Sequence, residues 1–576
     1  MDQQLVAMPK RRLAPWLSGP MLRSRGIYFK VALAAALINI FGLLTSIFTM
    51  VVYDRVLPNN ATASLIALSA GLLIVVIFDF VIKTLRAYFV DVAGARIDRE
   101  VGDAVFARLL SMRLDQRKGS TGALAGTVRE LETLRDFFAS ATLLALVDVP
   151  FIALTLAIIA AIGGPLVLVP MAVIPVVILT GLVTQPAMDR LSAKAMGEGL
   201  EKQGVLVEAI GGIETIKTSG AGALITGRWH DAVERQSDTS LRQRLLANIG
   251  ITVAGSAQTL AYAGVVVVGV ERIASQSLTM GGLIACSILA GRAVAPLGQI
   301  AALLSRVTAT RTAYRQLGAL MDTPPEGPAG QPLSLSSLEG RIEFRNVHFR
   351  YPGAPEKTLE GISFVLAAGE HLALVGPVGS GKSTIAKLLL GLYEPEEGVI
   401  MIDGIDIRQL DPADLRARIG SSMQESLLLS GSIRENIGIG RAAVDDDEMV
   451  RAAQLSGTHA FMSHIANGYD RRLADRGEGL SGGQRQSIAI ARALAGAPPV
   501  LVFDEPSSAM DMQTETALLA RLEAELAGRS LIVITHRTPL LRLVSRVIVI
   551  DRGRIASDGP RDQVLATLNR PRAAAS

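Results

Sequence analysis

VPFIALTLAIIAAIGGPLVLVPMAVIPVVILTGLVTQPAM, residues 149–188, runs for 40 positions without a charged side chain. A helix needs about 20 apolar residues to cross the hydrocarbon core of a bilayer. The run is twice that long, and Gly163-Gly164-Pro165 near its middle is a turn signal. It reads as a helical hairpin, two crossings joined by a tight turn. The same composition recurs on either side. Residues 31–53, 56–78 and 245–270 are uncharged, and 273–305 carries Arg292 alone. Six crossings result, at 29–53, 61–88, 140–162, 165–185, 246–270 and 279–303. The alternative, buried helices of a large soluble protein, fits poorly because core helices rarely run this long without charge.

Composition agrees with that reading and removes other classes. Of 576 residues 49% are hydrophobic and 19% charged, against about a quarter charged in ordinary soluble domains. That apolar content excludes a disordered chain, and the glycines and prolines follow no collagen period. The single cysteine, Cys286, excludes a disulfide scaffold, a thiolate zinc site and a CxxC redox pair. A net charge of +4 is too small a bias to argue for nucleic acid as a partner.

Orientation follows from the basic residues. Lys10, Arg11, Arg12, Arg23, Arg25 and Lys30 precede or open the first crossing against Asp2 alone. Segments 89–139 and 186–244 are long and rich in both signs, whereas the other connections carry at most one Arg each. The positive-inside rule puts the N-terminus and both long segments in the cytoplasm. A cleaved signal peptide does not fit, since the first apolar run begins late and is too long. Residues 95–134 and 191–246 mix apolar positions at helical spacing with paired charges, so they read as helices continuing out of the membrane. Asp79 and Lys83 are spaced for a helix-face ion pair. Asp148 and Arg292 are intramembrane charges, expected to face a bundle interior or wet cavity, with snorkelling to an interface as the other reading.

Beyond residue 320 the chain changes character. MDTPPEGPAGQPLSLSSLEG, 321–340, is a Pro/Gly/Ser-rich linker. From Arg341 onward strand-like runs (IEFRNVHF, HLALVG, VLVFDE, LIVITH, RVIVID) alternate with helical ones, the signature of an α/β domain. The expected architecture is therefore an N-terminal segment (1–28), a six-helix membrane domain (29–320), the linker, and an α/β domain over 341–576.

Three stretches of that last domain carry chemistry. HLALV runs into Gly376, Pro377, Val378, Gly379, Ser380, Gly381, Lys382, Ser383 and Thr384, then into helical IAKLLLGL. Glycines in a strand–loop–helix context let backbone N–H groups converge on phosphate oxygens at a helix N-terminus. Lys382 would pair the β- and γ-phosphates and Ser383 would ligate Mg²⁺. VLVFDE places Asp504 at the end of a buried strand, where it can reach the Mg²⁺. Glu505 after it is the acid that hydrolysis needs to orient a water. LSGGQ, Leu480 to Gln484, opens a helix with small residues and free N–H groups, a second anion site.

Together the three resemble the ATP-binding-cassette superfamily, LSGGQ looking like its signature motif. The resemblance covers essentially 341–565. It implies that Tyr351 stacks on adenine, Gln424 touches Mg²⁺ and senses the γ-phosphate, and His536 is the switch histidine. It also implies that Asp511 is the D-loop aspartate, and that Ser481, Gly482, Gly483 and Gln484 close on ATP held by a second subunit. ATP and Mg²⁺ are the implied ligands. One membrane half plus one ATPase half is similar to a half-transporter. With Glu505, His536 and the signature all intact, a homodimer of it would have two competent sites, and a heterodimer is the alternative that the resemblance allows but does not require.

The membrane half has a resemblance of its own. YDRVLPNN (53–60), DFVIKTLRAYF (79–89) and ADRGEGLSGGQ (474–484) look like exporters of bacterial type I secretion systems, close to those of RTX proteins, adhesins and metalloproteases. Some of those carry an N-terminal cysteine-peptidase-like domain. The expectation here is that none precedes the first crossing. The resemblance implies a bacterial inner-membrane exporter of unfolded polypeptide working with a periplasmic adaptor and an outer-membrane channel. An exporter of lipid, glycan or drug is the alternative. A soluble, non-transport ATPase conflicts with the six crossings.

Overall fold

The computed structural model describes residues 13–568, except 118–120, 139–141, 329, 336, 426, 442–443, 463 and 465. Side chains at 142–148, 299–306, 475 and 568 also lie outside the described set, so Lys10, Arg11, Arg12 and the side chain of Asp148 do too. Contacts divide the chain into two units, Met1–Ser111 with Lys118–Pro324, and Met112–Arg117 with Pro325–Ser576.

The first unit is helical: α1 (Pro15–Arg23), α2 (Arg25–Val51), α3 (Thr62–Leu110), α4 (Thr121–Phe138), α5 (Thr142–Gly163), α6 (Leu168–Gly211), α7 (Ile213–Thr218), α8 (Gly222–Ala274) and α9 (Met280–Met321). The six apolar runs fall on α2, α3, α5, α6, α8 and α9. By length and composition these make five membrane-spanning stretches among the described residues, because Val149–Gly211 takes in both α5 and α6. The break between those two lies at the Gly-Gly-Pro turn. Gly164 sits at φ +57, and one 3₁₀ turn, Gly164–Val167, leads into α6. α5 packs on α2 and α9, whereas α6 packs on α8 and α9.

The 49 residues of α3 span roughly 74 Å at helical rise, more than twice the ~30 Å of bilayer hydrocarbon. Its apolar stretch turns Leu73, Ile74, Phe78 and Phe80 outward, a surface suited to lipid tails. Helices approach closely where side chains are absent: a Cβ on Gly122 of α4 would lie 2.8 Å from the Gly204 Cα of α6. Arg292 uses the same device. Its Nη1 lies 1.7 Å from where a Cβ on Gly42 would stand, so the guanidinium fits against α2 only because residue 42 is glycine. Lys83 donates to Asp79 at 2.6 Å, the expected helix-face pair.

Two features go beyond the sequence reading. Helix α1 is one, tied down by Trp16 stacked on Tyr314 with centroids 5.4 Å apart and by the Ala14 N–H donating to the Tyr314 hydroxyl. The other is the YDRVLPNN stretch, where α2 ends in a single π-helical turn, Val52–Val56. There Asp54 accepts from the Gly281 N–H at 2.8 Å and the Thr279 hydroxyl at 2.7 Å. Thr279 itself caps α9 by accepting from Gly282 N–H. One carboxylate thus completes the N-terminus of a helix more than 200 residues away, where unpaired N–H groups favour negative charge.

The second unit contains β1 (Ile342–Phe349), β2 (Leu359–Leu366), β3 (His371–Val375), α10 (Lys382–Leu389), β4 (Glu397–Ile402), β5 (Ile405–Asp406), α11 (Pro412–Arg418), β6 (Ile419–Ser422), β7 (Gly431–Ser432), α12 (Ile433–Gly438), α13 (Asp446–Ser456) and α14 (Thr458–Met462). It continues through β8 (Arg472–Leu473), α15 (Gly482–Leu494), β9 (Val500–Asp504), α16 (Met512–Glu525), β10 (Ser530–Ile534), β11 (Arg546–Asp551), β12 (Arg554–Pro560) and α17 (Arg561–Leu568). Its main sheet runs β12-β11-β3-β10-β9-β6, parallel but for the edge strand β12. An antiparallel sheet, β2-β1-β4-β5, is the other layer.

The period-two pattern of the central strands decides what covers them. Ala373, Leu501, Phe503 and Val533 join a core with α13, α15 and α16. Leu372, Leu374, Val502 and Ile532 join one with α10 and the antiparallel sheet. Both faces are buried, which is why β9 and β10 read as unbroken apolar runs.

Candidate nucleotide site

In the sheet β10 lies between β3 and β9, with Ile534 opposite both Leu374 and Asp504. Three sequence-distant loops therefore leave the same edge: Gly376–Gly381 after β3, Glu505 after β9 and His536 after β10. β6 pairs with β9 up to Ser422, so Gln424 emerges beside them, exposed. The carboxyl ends of parallel strands are where open α/β sheets bind ligands.

Two glycines of the first loop are sterically required. Gly376, at φ +149, would put a Cβ 2.0 Å from the Ile550 carbonyl oxygen, and Gly381, at φ +101, one 2.6 Å from Leu359 Cδ2. Lys382 folds back over the loop, its Nζ donating to the Gly376 and Pro377 carbonyls at 2.8 and 2.7 Å. Burial lowers the Lys382 pKa, with Glu505 and Asp504 pulling it back up. An ammonium held on two carbonyls has donors ready to hand over to phosphate oxygens. Val378 is fully exposed at the tip.

Asp504 is buried, and burial pushes its carboxyl above the ordinary value of 3.8, with the Ser383 hydroxyl beside it pulling down. Its Oδ1 has no hydrogen-bond partner among the described residues. A buried, orphaned carboxylate oxygen next to a hydroxyl is a hard-oxygen donor set that suits Mg²⁺, which takes one or two carboxylates plus phosphate oxygens. The residues present fit the ion.

Glu505 follows in a left-handed conformation, φ +51. Its N–H donates to the Ile534 carbonyl at 2.9 Å. Its Oε1 accepts from the His536 N–H at 3.1 Å and lies 2.6 Å from His536 Nδ1. Glu505 is buried while His536 is largely exposed, so the acid is fixed and the imidazole is free to face a ligand. The Tyr351 hydroxyl is 3.1 Å from Thr384 Oγ1, its ring edge-on to Tyr393 at 5.3 Å. An aromatic ring thus borders the phosphate loop.

The LSGGQ stretch stands apart. Ser481 caps α15 in a reciprocal box with Gln484: Gln484 N–H donates to the Ser481 hydroxyl, and Ser481 N–H to Gln484 Oε1. Ser481–Gln484 line a cavity of about 540 Å³ together with Asp511, and none of the residues lining it belongs to Gly376–Thr384. Asp511 caps α16 by accepting from the Thr514 N–H and hydroxyl, which hold its carboxyl below the usual range. A single chain brings Gly376–Thr384, Asp504, Glu505 and His536 together, and none of these lines the cavity of Ser481–Gln484. Sequence reasoning missed Gln486, whose carboxamide reaches Glu505 and the loop behind it; a buried Gln in a helix carries no local signal.

Two family profiles match the sequence. One, described as the ABC transporter transmembrane region, covers residues 28–296, and the other, described as ABC transporter, covers 359–508. The leukotoxin translocation ATP-binding protein LktB of a Pasteurella haemolytica-like species (strain 5943B) is 34% identical over 559 residues, covering 96% of this chain and 78% of that one. The chain belongs to the ABC transporters. LktB of Mannheimia haemolytica is also 34% identical over the same length. A bacterial Atm1-family ABC exporter solved with ATP bound superposes with TM-score 0.83 at 26% identity, over 96% of this chain and 97% of that one. This ABC transporter is thus a multi-pass membrane protein whose α/β half binds ATP and couples its hydrolysis to export.

Proposed function

We propose that this transporter drives an unfolded polypeptide across the bacterial inner membrane as the ATPase and permease of a type I secretion system, acting as a homodimer with its nucleotide-binding half in the cytoplasm. The observation that carries the reading is similarity over 96% of the chain to proteins named for leukotoxin translocation. The YDRVLPNN stretch supports it. A periplasmic adaptor and an outer-membrane channel are the proposed partners, and membrane lipid rather than nucleic acid surrounds the helical half.

The chemistry is assigned as follows. Tyr351 offers adenine a π-face. Lys382 exchanges the Gly376 and Pro377 carbonyls for phosphate oxygens, and the loop amides from Val378 to Thr384 cradle the rest. Ser383, Asp504 and Gln424 hold Mg²⁺, which neutralises phosphate charge when bound. Glu505 orients and polarises the attacking water, and His536, anchored on Glu505 Oε1, faces the γ-phosphate. Ser481, Gly482, Gly483 and Gln484 of the second copy, with Asp511, close the site; their separation from the phosphate loop within one chain favours a site completed in trans.

The test is reconstitution. A C-terminal fragment of a cognate secreted protein should change the ATPase rate, while simple lipids confer no specificity. Flipping of a labelled lipid that no secreted polypeptide can compete would replace this reading with a lipid, glycan or drug exporter.

A further inference from the structure

Gln486 lies on α15 five residues beyond Ser481, buried. Its carboxamide is fully engaged. Nε2 donates to the Glu505 carbonyl at 2.8 Å and to Ser508 Oγ at 3.1 Å, and Oε1 accepts from the Ala509 N–H at 2.9 Å. The amide orientation is forced, since a carbonyl only accepts and a backbone N–H only donates.

The group it holds is the strained one. Glu505 sits in left-handed backbone, a conformation that persists only where its surroundings over-determine it. Its N–H is tied to Ile534 and its carbonyl to Ser508 N–H and to Gln486. The direction of the carboxylate depends on that peptide plane. The opening turn of α15 also rests on the same loop: a Cβ on Gly483 would meet the Ala509 carbonyl at 3.1 Å, and one on Gly482 the Ala509 side chain at 3.3 Å. Ala509 and Asp511 share a cavity wall with Ser481–Gln484.

We infer that Gln486 is a positioning residue linking the two ATP sites of the dimer. Nucleotide from the second copy docks on the start of α15. A shift there moves Gln486, which resets the Ser508–Ala509 loop and the Glu505 peptide of the neighbouring site. This rests on the proposed dimeric, Glu505-dependent hydrolysis. Coupling of this kind must appear as cooperativity between sites.

The experiment measures ATPase rate against ATP concentration for the full chain in lipid nanodiscs, with nucleotide affinity from a fluorescent ATP analogue and a melting curve for each variant. Wild type should give a Hill coefficient above 1. Gln486→Met should lose about tenfold or more in kcat and fall to a Hill coefficient near 1, with analogue affinity changed less than about twofold. Gln486→Glu keeps the acceptor for Ala509 and the side-chain volume. It should give the same result if the methionine variant fails to fold. Wild-type kcat and cooperativity in a folded Gln486 variant, or a loss confined to melting temperature, overturns the inference. Glu505→Gln separates the two levels. Near-normal turnover there removes the hydrolysis reading itself, whereas an inactive Glu505→Gln beside cooperative Gln486 variants removes only the coupling.

Discussion

Replacing Asp54 with Ala should loosen the N-terminal end of α9 without disturbing the ATPase half. The carboxylate accepts from Gly281 N–H and the Thr279 hydroxyl at once, at 2.8 and 2.7 Å. Gly281 is buried, so its N–H has no water to turn to once the acceptor is gone. A hydrogen bond to a charged group contributes about 1.5–3 kcal/mol, and an N-cap about 1. These overlap, because the hydroxyl retains its own bond from Gly282, so about 2 kcal/mol is the expected loss. That is roughly a 30-fold rise in the opening equilibrium of the first turn of α9. Hydrogen–deuterium exchange in nanodiscs reads it directly at amides 281–284. Asp54→Asn should be milder, since its Oδ1 still serves Gly281 and its amide can donate to Thr279. Gly281→Ala should reproduce the effect from the other side, because its Cβ would stand 2.5 Å from the Met50 carbonyl and 2.6 Å from Asp54 Cγ. Unchanged exchange at the start of α9 in both Asp54→Ala and Gly281→Ala would refute the idea that this carboxylate joins the two helices.

Tyr351→Ala should weaken ATP binding by about 1–3 kcal/mol, while Phe, which keeps the ring and loses only the contact to Thr384, preserves most of it; isothermal titration distinguishes them, and equal losses assign the role to the hydroxyl. Burial raises the Asp504 pKa above 3.8, so in the pH window between the ordinary and the raised value the folded chain holds a proton there that the unfolded chain has released. The stability this contributes is fully present below the ordinary Asp pKa and is lost as pH rises through the raised folded value. Magnesium-free melting curves of Asp504→Asn should lack that decline above about pH 4, and parallel wild-type and Asn profiles would count against it. Arg292→Ala should impair export more than basal ATP hydrolysis, because it removes an intramembrane charge while leaving the nucleotide site intact; parallel loss of both activities would contradict this.

What could be read from the sequence was what chemistry forces into short, fixed spacing. The phosphate loop needs its glycines in consecutive turns, and the acid pair must follow a buried strand, so both are visible as strings. IEFRNVHF and RVIVID coincide with β1 and β11. Gly398, the second residue of β4, sits at φ +90 against the Asn346 carbonyl, and β12 alternates Arg, Ala, Asp and Pro along an edge. β4 still carries an apolar run, VIMI at 399–402, whereas β12 shows no such pattern, because register and neighbours, not propensity, make it a strand. The continuation of α3 beyond the membrane was legible in its paired charges, but its end at Leu110, within the stretch 95–134 read as helical, was not. α3 continues to Leu110 through Arg96 and Glu100, which bond each other at 3.2 Å, so the helix outlasts the hydrophobicity that reveals it.

Two links lie outside the reach of any string. Asp54 meets Gly281 across 227 positions, and Gln486 meets Glu505 and Ala509 across 19 and 23. Each places one polar side chain where it satisfies backbone groups of another element, so each costs little to form and leaves unpaired buried groups when it breaks. That asymmetry favours two discrete arrangements over a continuum. An exporter needs such bistable joints at two places: where its helices part, and where ATP bound at one site must be felt at the other. The role inferred for Gln486 belongs to the second. Gln486 is not among the residues assigned to nucleotide, so substitutions there should alter the timing of the cycle while leaving nucleotide bound, a phenotype distinct from that of any residue in the phosphate loop.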